Sequence, residues 1–278
     1  MNSFNINRFG KTLRWVVGVN FRNLLMWTIG YTVAVFLFEH LFFVLSPAGM
    51  MSNALHNISQ FCSIFILIAL VVGLSVVFYG MNKKARREAF LMLPASNLEK
   101  FLSSVLYATI IWGACVILSF VAGDTLRMVF RAWAYGDAWT STVPMVLNTF
   151  KPLFVDALRG EYSIGYMVIN TVVIGSFIVW IHSLYILGGT LLRKYSFVAS
   201  TLVLILFVWI MGWLTGHFHL KVFYGIWVND RYYGYVGPLA YVLAVVLPLF
   251  AVFNYWASYR IYKGMQLITN KWTNYDIH

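Results

Sequence analysis

His217 and His219, separated only by Phe218, come closest in this chain to a pair of metal ligands, and His182 is the nearest imidazole upstream. A zinc site needs three or four ligands at tight spacing, and no third ligand type stands close to this pair. The surrounding aromatic residues point instead to histidines at a membrane interface. Gly10-Lys11-Thr12 looks like the end of a phosphate loop, but Asn5-Ile6 stand where the opening glycine belongs and no strand precedes them. No Gly-x-Ser-x-Gly, no His-Glu-x-x-His and no paired carboxylates occur within an apolar run. Catalysis by this chain is therefore not expected. Asn170, His182 and Asn254 are polar groups set in apolar stretches. Such groups face a bundle interior and hydrogen-bond across helices, which makes them candidates for a pathway or dimer seam, or for helix-to-helix glue. Glu39-His40 lies near the end of an apolar run and is assigned no role.

The elements that hold these residues follow from composition. The chain has 278 residues, of which 61% are hydrophobic and 10% charged, against about 25% charged in soluble domains, so the surplus apolar surface must face lipid. The net charge of +11 is spread between long apolar runs rather than gathered on one polar face, so nucleic acid is not the expected partner. Cys62 and Cys115 fall inside apolar segments and suggest packing rather than a disulfide or a metal cluster. Apolar runs long enough to cross a bilayer lie near 24–45, 57–80, 101–121, 164–191, 197–215 and 237–259, which predicts an all-α polytopic membrane protein with six spans.

Six spans place both termini on one side. The connections on that side hold fourteen lysines and arginines, and those on the other hold six: Arg127, Arg131, Lys151, Arg159, Lys221 and Arg231. The positive-inside bias puts the termini, the 81–100 loop and the 192–196 turn in the cytoplasm. Arg8, Lys11, Arg14 and Arg22 precede the first span with no small-residue cleavage site after it, so no removed signal peptide is expected. Ile6, Phe9, Leu13, Val16 and Val17 recur at helical spacing and predict an amphipathic helix over 1–23 lying on the inner membrane surface. Residues 122–163 and 216–236 are rich in aromatics. They are expected to be an outer insert and an outer re-entrant segment built of partly helical pieces, with Gly216, Gly225, Gly234, Gly237 and Pro238 as breaks. The whole chain, 1–278, reads as one transmembrane domain ending in a cytoplasmic tail over 260–278.

Residues 82–100, between the second and third spans, carry the functional inference. A basic start is followed by a short helix with Phe90, Leu91 and Leu93 near one face, then Pro94. Ser96 and Glu99 stand at the N-cap and N3 positions of a capping box for the next helix. A helix held by a stiff elbow suits a groove on a soluble partner. A lipid-contacting basic loop explains the charges equally well but gains nothing from three large apolar side chains.

This segment resembles the cytoplasmic coupling helix, over 82–99, of the permease subunits of ABC type-2 (type V) exporters. The match rests on Arg87, Glu88, Phe90, Leu91, Leu93, Pro94, Ser96 and Glu99. The layout of an interface helix, six spans and a broken segment before the last span is similar as well. The stretch Gly188-Gly189-Thr190-Leu191-Leu192-Arg193-Lys194-Tyr195 resembles permease-like proteins of Bacteroidetes-type bacteria. The resemblance implies an exporter subunit in a bacterial cytoplasmic membrane, paired as a homodimer, with ATP and magnesium held by a separate ATPase subunit and no cofactor of its own. It implies groove contact for Phe90, Leu91 and Leu93, elbow geometry for Pro94, polar anchoring for Arg86, Arg87, Glu88 and Glu99, and a place for Ser96 in the same ATPase-contact segment. The insert at 122–163 departs from the family, which joins its third and fourth spans tightly. A polytopic scaffold or accessory subunit is the rival expectation, with Arg127, Arg131, Trp133, Trp139, Lys151 and Arg159 as its docking surface.

Overall fold

A computed structural model describes residues 4–45, 51–75, 84–136, 139–150, 164–192, 195–228 and 231–264. Asn82-Lys83, the 151–163 part of the insert with Lys151 and Arg159, and the tail beyond residue 264 lie outside them. The described elements are α1 (Ile6–Leu45), α2 (Met51–Ser75), α3 (Lys84–Leu91), α4 (Asn97–Tyr135), α5 (Val143–Phe150), α6 (Ile164–Leu191), α7 (Ser196–His217), strands β1 (Phe223–Val228) and β2 (Arg231–Val236), and α8 (Pro238–Lys263). Six of these helices, α1, α2, α4, α6, α7 and α8, are long and apolar enough to cross a bilayer. The chain is an all-α polytopic membrane protein, and backbone hydrogen bonds closed within each helix are what the hydrocarbon demands.

Three expectations change. The interface helix over 1–23 is not a separate element: it runs without a break into the first span, because no glycine pair, proline or cap interrupts Ile6–Leu45. The insert is shortened from its start, since the third span continues as helix to Tyr135 and is closed by Gly136 in the left-handed conformation. Phe223–Val228 and Arg231–Val236 pair as antiparallel strands rather than forming helical pieces. Aromatic and β-branched residues are frequent there and favour strands, and Gly225 pairs with Gly234 across the ladder. Gly237 follows β2 where a side chain has no room, since a Cβ would lie 1.9 Å from the Lys221 carbonyl oxygen.

The chain divides into two compact units, one of Met1–Gly73 and Pro94–Phe150 and the other of Leu74–Leu93 and Lys151–His278. In the first, α1 and α4 run side by side. The Ser119 hydroxyl, which donates to the Cys115 carbonyl of its own helix, also lies 3.2 Å from the Thr28 carbonyl, and α4 comes so close to α1 at Gly123 that a Cβ there would lie 2.9 Å from the Thr32 carbonyl oxygen and 2.8 Å from Val35 Cβ. Helix α2 meets α1 through aromatic rings, Phe61 and Phe65 against Phe38. The α4 ladder holds one π-helical turn at Tyr107–Ile111, just before Trp112. In the second unit α6 packs along α8, and the Trp180 ring meets Phe207 of α7 at 4.5 Å.

The Gly123 contact gives a direct test. Gly123→Ala is expected to cost about 1–3 kcal/mol, since a backbone oxygen cannot rotate away from the added methyl. Gly30→Ala, where a Cβ meets nothing within 4 Å, is expected to be neutral or stabilising by about 0.5–1 kcal/mol. Thermal unfolding of both variants in the same detergent checks the pair.

Candidate functional site

The bend between α3 and α4 is built from local rules. Helix α3 closes with the Met92 amide donating to the Glu88 carbonyl at 2.9 Å and the Leu93 amide to the Phe90 carbonyl at 3.3 Å. Pro94 has no amide to continue the ladder and keeps Leu93 out of helical geometry. Ser96 then caps α4 in an extended conformation (φ −69°, ψ 157°), and the predicted capping box forms. The Glu99 amide donates to Ser96 Oγ at 3.3 Å, and the Ser96 amide donates to Glu99 Oε2 at 2.8 Å.

The Glu99 carboxylate also holds the start of α1. Its Oε1 accepts from the Asn5 amide at 2.7 Å and from Arg8 Nη2 at 2.9 Å. Asn5 in turn caps α1 through its side chain, whose Oδ1 accepts from the Asn7 amide at 2.9 Å. One fully enclosed carboxylate thus staples the first turns of two helices that begin 91 residues apart.

The residues expected to meet a partner divide by exposure. Phe90 is buried against Tyr262 of α8, ring centroids 6.4 Å apart, and Arg87 is buried as well. Glu99 is engaged within the chain. Arg86, Glu88, Leu91, Leu93 and Ser96 are half-buried, while Pro94 is exposed. Met92 is 82% exposed and becomes the most prominent apolar group of the bend, a residue that the motif left unassigned. Of the polar residues in the spans, Asn254 is buried and donates to Ser183 Oγ at 3.1 Å. His182 Nδ1 meets the Tyr255 hydroxyl at 2.5 Å. Both belong to the α6–α8 packing, while Asn170 is half-buried on α6. His217 stacks on Trp213 with ring centroids 5.3 Å apart.

A second polar cluster escaped the sequence reading. Arg127, expected on an outer docking surface, is 2% exposed and ion-paired on two sides. Its Nε donates to Glu39 Oε2 at 2.8 Å, and its Nη2 donates to Asp124 Oδ1 and to the Thr140 carbonyl, both at 2.6 Å. Thr142 Oγ1 donates to Glu39 Oε1 at 2.8 Å, and Ser141 Oγ donates to Asp124 Oδ2 at 2.6 Å. All four carboxylate oxygens are thereby satisfied, and the lead into α5 is tied to α1 and α4. Arg131 lies with Arg127 against the Phe43 ring, each 4.8 Å from its centroid, while Trp133 and Trp139 stay exposed. The signal for this cluster was a single carboxylate, Glu39, inside an apolar run, which calls for a basic partner at the same depth.

The two clusters share a spacing. Arg8 and Glu39 are 31 residues apart on one continuous helix, about 46 Å at 1.5 Å per residue. That is close to the roughly 40–45 Å thickness of a bilayer with its interfacial regions. A spacing of that size matches one ion cluster in each interfacial region, with the hydrocarbon, where charge costs most, between them. Comparison with protein-family models, with curated proteins and with solved structures finds no match.

Proposed function

We propose that this chain is the permease subunit of an ABC-type exporter in a bacterial cytoplasmic membrane, with both termini in the cytoplasm. Hydrolysis of ATP takes place on a separate ATPase subunit, and two copies of the chain form the membrane part. The observation that carries the reading is the bend at 84–99, a short helix followed by a proline and a capped second helix. Phe90 packs on Tyr262 within one unit, and the Ser96–Glu99–Arg8 staple fixes the start of α4 within the other. Between them Met92 and Pro94 are exposed and Leu91 and Leu93 half-buried. A lever must be stiff at its attachments and accessible where force arrives, and an apolar apex fits a groove on a soluble partner. The basic balance of the loops supports the cytoplasmic placement.

Purification from native membranes in a gentle detergent tests the reading. The expected result is an ABC ATPase at one copy per chain, whose hydrolysis rises in the presence of this chain. Recovery of the chain without any ATPase, or of an ATPase whose rate ignores it, overturns the proposal.

A further inference from the structure

Two neighbouring cavities, of about 240 Å³ and 260 Å³, lie among α1, α2 and α4, and both are lined by Tyr31 and Phe65. Cys62, Val116 and Phe120 form buried parts of the walls, while Trp27, Phe65 and Ile68 are exposed at the rim. All three helices are membrane spans, so an exposed rim on them opens toward lipid.

The hydroxyl and indole groups of these walls already have partners, with one exception. The Trp112 indole N–H donates to the Ala69 carbonyl at 2.8 Å. The Thr28 hydroxyl donates to the Leu24 carbonyl at 2.8 Å, and the Ser119 hydroxyl to the Cys115 carbonyl at 2.7 Å. The Tyr31 hydroxyl is buried and has no hydrogen-bond partner among the described residues. A buried water is a poor candidate, because an ordered water needs two to four polar partners and this wall offers one free group. The missing partner is an acceptor carried on an otherwise apolar molecule. Depth narrows the choice. Tyr31 stands eight residues before Glu39 on the same helix, about 12 Å along the axis from the Glu39–Arg127 cluster. That places it just beneath one interfacial region, where the acyl carbonyls of lipids meet their hydrocarbon.

We propose that these cavities form a binding site for one acyl chain of a membrane phospholipid, with the acyl carbonyl accepting a hydrogen bond from the Tyr31 hydroxyl and the hydrocarbon lying against Phe65 and Val116. The bound chain fills the space between α2 and the α1–α4 pair and satisfies the one open hydroxyl. The site stands independently of the ATPase reading, since its argument uses only the spans.

The test uses the full chain in nanodiscs containing a phospholipid with a photoactivatable acyl chain, followed by peptide mapping. Labelling is expected on segments 27–38, 61–72 and 112–120, and Ala34→Phe or Ala69→Phe, which fill the cavities, should reduce it. An unlabelled diester phospholipid should compete about fivefold better than its diether analogue, which lacks the carbonyl, a ratio worth one net hydrogen bond. Tyr31→Phe should remove that preference while the chain stays folded. Labelling confined to other segments, labelling indifferent to both cavity-filling variants, or the same ester-to-ether ratio in Tyr31→Phe overturns the proposal. Cross-links joining two copies of the chain through Trp27 or Ile68 overturn it as well, since a second copy would then cover the rim.

Discussion

Arg127→Met is expected to destabilise the protein by about 3–5 kcal/mol, the cost of leaving buried charge without its partner. Methionine matches the reach of the arginine stem, so little packing volume changes. What changes is the charge balance at Glu39 and Asp124, which are 0% and 1% exposed and have no water to replace the guanidinium. The Thr140 carbonyl also loses its donor, and the lead into α5 loses one of its ties. Glu39→Gln and Asp124→Asn, added together to Arg127→Met, are expected to restore most of the lost stability, because the amides keep hydrogen-bonding capacity without net charge. Thermal unfolding of the single and triple variants in one detergent checks this, and the non-additivity between them measures the coupling. Equal losses in both variants would mean that shape, not charge, holds the cluster.

On the exporter reading proposed above, Leu91→Asp combined with Pro94→Ala is expected to abolish stimulation of the ATPase while leaving membrane insertion and folding intact. Leu91 is half-buried and Pro94 exposed, so neither change opens the core of either unit. The aspartate places a charge on the apolar apex, and removing proline lets the helix run on through the bend. Hydrolysis should fall to the rate of the isolated ATPase, and ATPase recovery in purification should fall with it. Phe90→Ala provides the contrast. Its side chain packs on Tyr262 within the chain, so it should lower thermal stability by about 3–5 kcal/mol. Unchanged coupling in the Leu91/Pro94 double variant would remove the lever from this bend.

Much of the architecture was legible because it depends on one-dimensional signals. Apolar runs of about 20 residues mark spans regardless of their neighbours. The Ser96–Glu99 capping box is a four-residue rule, and Pro94 breaks a helix wherever it stands. Boundaries were less legible. The interface helix and first span differ in composition but not in backbone conformation, so a change from amphipathic to uniformly apolar sequence suggested an end that Ile6–Leu45 does not have. The paired strands were missed for a related reason: aromatic residues report the interface, whereas the choice of strand over helix is settled by cross-strand pairing such as Tyr224 with Tyr235, which composition alone does not register.

The amino-acid sequence by itself determined that this is a membrane protein, how many times it is able to cross, and where a bent helix interrupts the loop between its second and third spans. Those outcomes follow from hydrophobic burial and local backbone sterics. Tertiary structure alone decided which charges meet. Glu99 reaches back 91 residues to Arg8, and Glu39 waits 88 residues for Arg127. Electrostatic partners are chosen by depth along adjacent helices, a coordinate that exists only once α1 and α4 lie side by side.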